Sequence, residues 1–256
     1  MEGPSLFLAA EQLQPFSGKK ILRVEGNTTI GKERLKSEKV KEIFSWGKHL
    51  IFQFEDFALK VHFLLYGSFE ASVNKIQVTG DYRRTRTPRL VLAFRNGEIR
   101  MFNCSVKYVE DKNFKATYDF SSDTMSPGWD GKQALKKISA FPDEEIGDVL
   151  LDQDIFAGVG NIIKNEILFI AKVNPKKKIK SISLKKRRDI IKEAFSFSHQ
   201  FYQWRKIFQL KKHLVIYRKS VCPICNTKVI REKTGKRQRW SFYCPKHQLL
   251  RPKKTA

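Results

Sequence analysis

Cysteine and histidine stand where they can share a metal ion: Cys222-Pro-Ile-Cys225 and Cys244-Pro-Lys-His247 form two knuckles separated by residues 226–243. Each knuckle offers two ligands on one turn, and two such turns close the four corners of a tetrahedral zinc site. A module of about 40 residues or fewer buries too little apolar surface to fold unaided, so here the metal supplies the missing core. Cys104 falls in a strand-like stretch far from this set and reads as a buried apolar residue. A second group lies between Pro142 and Glu166, where two helical patterns flank a turn holding Gly158 and Gly160. Backbone N–H groups left unused at such a turn bind anions; Asn161 and Lys164, at the start of the second helix, add a neutral donor and a positive charge. The third group is the terminus itself, where Met1-Glu2-Gly3-Pro4 ends at the positive pole of a helix.

The charge balance says what the anion is. Among 256 residues, Lys+Arg number 50 and Asp+Glu 26, a formal net charge of +24 spread along the whole chain. A polyanionic partner follows, nucleic acid first and an anionic membrane surface second. The basic runs Lys176-Lys177-Lys178 and Lys185-Lys186-Arg187-Arg188 have no local structural motive, since a basic first turn opposes the helix dipole. Thr234-Gly235-Lys236-Arg237-Gln238-Arg239 makes a basic hairpin tip inside the cysteine module, followed by Trp240, Phe242 and Tyr243; arginines and aromatics there suit phosphate and base contacts, and core packing explains the aromatics equally well but not the arginines. No apolar run is long enough to span a membrane, and no secretory signal pattern opens the chain, so an intracellular, cytoplasmic protein is expected, nucleoid-associated in a bacterium. Four cysteines there argue for metal or free thiols over disulfides.

The positioning elements follow from periodicity. Leu6, Ala9, Ala10, Leu13 and Phe16 mark a short amphipathic helix over 5–17, with Ser5 as candidate N-cap and Gly18 as its stop. From about 20 to 110 the pattern alternates: Leu50, Phe52 and Phe54 lead into a turn near Glu55-Asp56, and Leu59, Val61 and Phe63 return. Leu90, Leu92 and Phe94 run into Asn96-Gly97, a hairpin signal, and Ile99 and Met101 follow. Many short strands predict a β-sandwich or barrel. Helical spacing resumes around Ala134, Leu135 and Ile138, then over 143–152, 161–171 and 183–203, the last with Ile190, Ile191, Ala194, Phe195 and Phe201 on one side. The expected organisation is α+β: a sandwich with a short N-terminal helix over 1–115, a linker over 116–131, a helical domain over 132–213, a zinc-ribbon finger over 214–250 and a basic tail over 251–256.

Taken in order, Glu2-Gly3-Pro4, Gly47-Lys48, LDQDIFAGVGNIIKNEIL and the finger ending in an arginine hairpin resemble the formamidopyrimidine-DNA glycosylase and endonuclease VIII family of base-excision repair enzymes. The resemblance covers nearly the whole chain and makes the glycine turn a helix-two-turn-helix element. It implies a zinc-containing monomer that clamps double-stranded DNA bearing damaged bases or abasic sites. A flipped base is then excised by the N-terminal amine through a Schiff base, and β-elimination cuts the strand. An α-amine, with a reference pKa of about 7.7–8.0, is partly neutral near pH 7. On this reading Met1 is the nucleophile, Glu2 the acid/base and Lys48 a phosphate contact at the lesion. Asn161, Lys164 and Arg239 grip the backbone, and Leu64, Leu65 and Tyr66 fill the void that base flipping leaves. Leu65-Tyr66-Gly67 resembles the endonuclease VIII branch, which points to oxidised pyrimidines. Met1 stands where the family commonly has proline, and His247 where it commonly has cysteine; the segment 100–110 lacks the family's arginine-containing loop. A damaged-DNA-binding protein of the same fold without catalysis is the rival reading.

Overall fold

The computed structural model describes residues 1–80, 86–111 and 113–250; the basic tail expected at 251–256 lies outside the described residues. The chain divides into two compact units, one of Met1 with Ser5–Tyr118, the other of Glu2–Pro4 with the chain from Asp119 onward.

In the first unit the strands are β1 (Ile21–Glu25), β2 (Glu42–Trp46), β3 (His49–Gln53), β4 (Ala58–Val73), β5 (Ile76–Gly80), β6 (Leu90–Phe94) and β7 (Gly97–Val109). Hydrogen bonds join them in the order β1-β6-β7-β4-β3-β2, with β5 added to β4. The long pair β4–β7 runs antiparallel from Ala58↔Val109 to Val73↔Gly97 and loses register between Phe63 and Ser68. Strands on either side of that break send Leu50, Phe52, Leu59 and Val61, and Leu90, Leu92, Ile99 and Met101, into one core cluster. The expected sandwich is thus one continuous sheet folded onto itself as two layers. The 90–101 hairpin turns one residue earlier than expected: Phe94 pairs with Gly97, so Arg95-Asn96 is the loop. Gly97 has φ +152° and lies against the Ser72 carbonyl, leaving no room for a Cβ.

Helix α1 spans Gly3–Gln12, earlier and shorter than expected. Ser5 is therefore buried within its first turns and is not its cap. A short 3-10 turn at Gln14–Phe16 carries the rest of the apolar face, and Leu6, Ala9, Ala10, Leu13 and Phe16 all enter the sandwich core.

The second unit holds α2 (Gly131–Ser139), α3 (Ile146–Val149), α4 (Asn161–Ile170), α5 (Leu184–Lys206), α6 (Leu210–His213) and the hairpin β8 (Ile230–Thr234)–β9 (Arg239–Tyr243). Asp130 caps α2 by accepting from Lys132 N and Gln133 N, and Ser183 caps α5. The helix expected over 143–152 is the single turn α3, because the Glu145 backbone bridges to Lys178 on its way in. Phe195 differs from the sequence pattern too: it is 38% exposed and packs on His199, while Ile190, Ile191, Ala194 and Phe201 are buried. The stretch read as a linker is a wall of this unit from Asp119 on. Ser122, Asp123, Thr124 and Met125 are buried; Asp123 accepts from Met125 N, and Thr124 N donates to the Ala157 carbonyl. Its Ser/Asp composition hides such order, since these side chains replace periodic apolar contacts with local hydrogen bonds.

Candidate active site and nucleic-acid interface

In the first unit, Trp46 pairs with His49 across a two-residue turn, so Gly47, at φ +52°, and Lys48 form the tip of the β2–β3 hairpin. The His49 ring stacks on Trp46 and meets His62 of β4 edge-on at 5.3 Å between centroids. Burial pushes His49 down to about 4, helped by His62, Lys60 and Lys48. His62 is lowered first by burial and then by the positive charges of the N-terminal amine, Lys48 and Lys60. The amine of Met1 and Lys48 therefore both act on one neutral imidazole, and the Met1 side chain packs against the sandwich core. Neither histidine stands out from the sequence pattern alone. The available signal was two histidines one residue beyond a Gly-Lys turn and on the next strand.

The register break in β4 builds a projection. Residues 64–67 oppose the lone Asn103 of β7, whose Nδ2 donates to the Leu65 carbonyl at 2.6 Å. Tyr66, at φ +63°, turns the chain, and Gly67 presses against the Asn103 carbonyl where a Cβ would collide. Leu64, Leu65 and Tyr66 are left 44%, 70% and 64% exposed. Three apolar side chains held out on a bulge lie outside the core cluster of the unit that carries them.

In the second unit Glu2 occupies the glycine turn. Its carboxylate accepts from Ile162 N at 2.7 Å and Ile163 N at 3.2 Å, capping α4 where Gly160, the residue at the N-cap, has no side chain to do so. A Cβ at Gly160 would overlap the Glu2 carboxyl. Gly3 N donates to the Gly158 carbonyl at 2.8 Å, and Gly158 has φ +93°. Two of the N–H groups expected to meet an external anion therefore hold a carboxylate of the chain itself. Asn161, next to them, keeps an amide oxygen without a partner. Lys164 departs further from expectation. It is 1% exposed and donates to the Trp240 carbonyl at 3.2 Å and Ser241 Oγ at 3.0 Å. Burial, reinforced by Arg239, lowers it to about 8. Its ammonium joins helix to finger and is not presented to a phosphate.

The finger tip is held by carboxylates at four-residue spacing. Lys236 pairs with Glu144, Lys236 N and Arg237 N donate to Asp148, and Arg237 reaches Asp152 at 3.5 Å. A Cβ at Gly235 would overlap the Asp148 carboxylate. Lys236 and Arg237, the second an arginine whose position suited phosphate contact, thus serve to dock the hairpin. Arg239, exposed at the start of β9, makes no ion pair among the described residues.

Ligand atoms of Cys222, Cys225, Cys244 and His247 lie within 4.8 Å of one another. Zinc–sulfur bonds of about 2.3 Å in a tetrahedron place sulfurs about 3.8 Å apart. Cys225 Sγ and Cys244 Sγ are 3.6 Å apart, and His247 Nε2 is buried without a hydrogen-bond partner. These donors could hold a metal ion. Hydrogen bonding to Thr227 lowers the Cys225 thiol to about 6, which favours the thiolate a metal needs. The finger's own cluster is small: Phe169, Ile216, Val229 and Phe242 close around Cys222 and Cys244.

Comparison with known proteins places this geometry. Residues 123–198 match the formamidopyrimidine-DNA glycosylase H2TH domain. Endonuclease 8-like 3 of Mus musculus is 30% identical over 210 residues, which cover 80% of this chain and 34% of that protein. Endonuclease 8-like 2 of Bos taurus is 33% identical over 206 residues, covering 74% of this chain and 58% of that one. The chain therefore spans between a third and six tenths of these relatives. Among solved structures, a viral DNA glycosylase superposes with TM-score 0.83 at 21% identity, covering 97% of this chain and 100% of that one. The Lactococcus lactis Fpg in complex with DNA containing an abasic site gives 0.81 at 20% identity, with the same coverage. At that identity the likeness is one of fold.

Proposed function

Because the chain belongs to the formamidopyrimidine-DNA glycosylase and endonuclease VIII family, we propose that it is a DNA repair glycosylase acting on oxidised bases, pyrimidines above all, with an associated AP-lyase activity. The observation that carries this reading is the seat of Glu2 on Ile162 and Ile163, which fixes the residue bonded to the one that bears the amine. In the proposed reaction the neutral Met1 amine attacks C1′ of the sugar. The glycosidic C–N bond breaks with its electron pair leaving on the base, which takes up a proton. Opening of the sugar ring gives the Schiff base, and loss of the C2′ proton expels the 3′ phosphate. Glu2 carries the protons to and from the sugar. Lys48 lies beside the lesion phosphates, Arg239 and Asn161 hold the backbone, and Leu64, Leu65 and Tyr66 occupy the space of the flipped base. Zinc on Cys222, Cys225, Cys244 and His247 would hold the finger that presents Arg239.

Borohydride trapping on duplexes carrying an abasic site or an oxidised pyrimidine tests the lyase, with intact mass identifying the residue that bears the amine. A covalent adduct is expected with wild-type protein. Absence of the adduct from protein with an unblocked Met1 would overturn the lyase. Salt-dependent binding without cleavage would then leave a damaged-DNA-binding protein.

A further inference from the structure

Cations and aromatic rings alternate down one face of the finger. Arg218 lies over the Tyr217 ring at 5.4 Å, and Tyr217 meets Phe242 edge-on at 5.2 Å. Arg231 sits over both Phe242, at 5.9 Å, and Trp240, at 4.4 Å, and Lys233 caps the far side of the run 5.8 Å from Trp240. The β8–β9 register, with Lys233 opposite Trp240 and Arg231 opposite Phe242, puts these four side chains on one face of the hairpin. Arg239, Ser241 and Tyr243 point the other way, toward the face where Lys164 binds Ser241 and Lys176 binds Glu232. The run is therefore separate from the Arg239 contact assigned above.

Two features distinguish it from ordinary charged surface. Elsewhere in this unit most basic residues of the finger tip and of the loop before α5 are compensated: Lys176, Lys178, Lys180, Lys236 and Arg237 each pair with a carboxylate, and Arg239 does not among the described residues. Arg218, Arg231 and Lys233 have no ion pair among the described residues and are held by rings instead. Trp240 is 40% exposed, although the rest of β9 beyond it is buried. A guanidinium fixed on a ring keeps its charge and its outward N–H donors while losing little mobility when it binds an anion.

We propose that this face is a second nucleic-acid surface, one that binds an unpaired strand. Arg231 and Lys233, two residues apart on one strand, are about 7 Å apart along it, roughly two nucleotide steps at the 3.4 Å rise of a duplex strand. On that spacing they reach phosphates two steps apart while Trp240 takes a base. A duplex keeps its bases stacked and offers the cations only its phosphates, whereas a single strand offers the phosphates and an aromatic face together. The proposal does not depend on catalysis, because strand binding needs neither Met1 nor Glu2.

Fluorescence anisotropy of the full chain with an undamaged single-stranded oligonucleotide, titrated across salt concentrations, reads the surface directly. Trp240→Ala should weaken single-strand binding between about fivefold and a hundredfold. Arg231→Gln and Lys233→Gln should each lower the salt slope by about 0.7, and they keep the finger intact if Trp240→Ala does not. Metal content per chain verifies that each variant retains a folded finger. Unchanged affinity and slope in the two glutamine variants would overturn the proposal. So would an equal loss on a duplex of the same length, since general charge attraction would then account for the binding. Loss of lesion excision with retention of these single-strand effects would count against the glycosylase reading and leave this one standing.

Discussion

Replacing Gly160 with alanine isolates the seat of Glu2 without touching Glu2. The backbone of Gly160, at φ −119° and ψ −163°, is open to alanine, so no torsional strain enters. The new Cβ would overlap the Glu2 carboxyl, the far end of a flexible side chain, and it is that carboxyl that must yield. Its departure strips Ile162 N and Ile163 N of their acceptor, a loss of about 1 kcal/mol for a helix cap, and removes an anion from a helix N-terminus, about 0.3–1 kcal/mol more. A total near 2 kcal/mol corresponds to a fall of roughly 4–8 °C in Tm for a chain of this size. Thermal unfolding of four proteins, wild type, Gly160→Ala, Glu2→Ala and the double variant, measures it as a cycle. In the Glu2→Ala background the added methyl has nothing to displace, and only the small difference between glycine and alanine at an N-cap remains. A coupling of about 1–2 kcal/mol is expected. Equal costs of Gly160→Ala in both backgrounds would refute the claim that this glycine exists to admit Glu2. Single-turnover excision by Gly160→Ala, with Glu2 chemically intact, should fall with stability.

Three further outcomes are expected. Cys222→Ser should lower bound metal from one ion per chain, measured by atomic emission, and expose the finger to proteolysis while the helical core containing Ile163 and Ile167 stays protected. Lys164→Met should cost stability, because Ser241 and the Trp240 carbonyl lose a donor, yet leave the salt slope of DNA binding unchanged; a slope reduced by about 1 would restore Lys164 as a phosphate contact. His49 titrates near 4 in the folded chain and near 6.5 when unfolded, so between these values the unfolded state binds more protons and stability falls as pH drops from about 6.5 toward 4. His49→Phe should flatten that part of the stability profile measured by urea unfolding, and an unaltered profile would place the titration elsewhere.

Alternation and spacing made the sheet legible, since Leu50, Phe52, Leu59 and Val61 face one core as their period requires. The four metal-site side chains were legible because ligand spacing is local. Partners distant in sequence were not. Nothing near Gly160 says that the acceptor for α4 comes from residue 2, and a glycine at a helix start reads equally well as an open anion site. Lys164 looked exposed because lysine usually is, and the carbonyl of Trp240 and the hydroxyl of Ser241, with the charges of Asp148 and Glu2, make its burial tolerable. The tip residues Lys236 and Arg237 misled in the same way, their carboxylate partners lying in residues 144–152.

The Glu2 seat also orders events during synthesis. Gly3 meets Gly158, and Glu2 meets Ile162, across some 160 positions of chain. Residues 2–4 are made well before their partners, which do not exist until most of the second unit has been made. At about 5–20 residues per second, that interval is on the order of ten seconds or more. Loop closure over such a separation is paid in entropy before the contact returns anything. Glu2 is thus made long before its seat exists, and its carboxylate waits for the α4 N–H groups it caps.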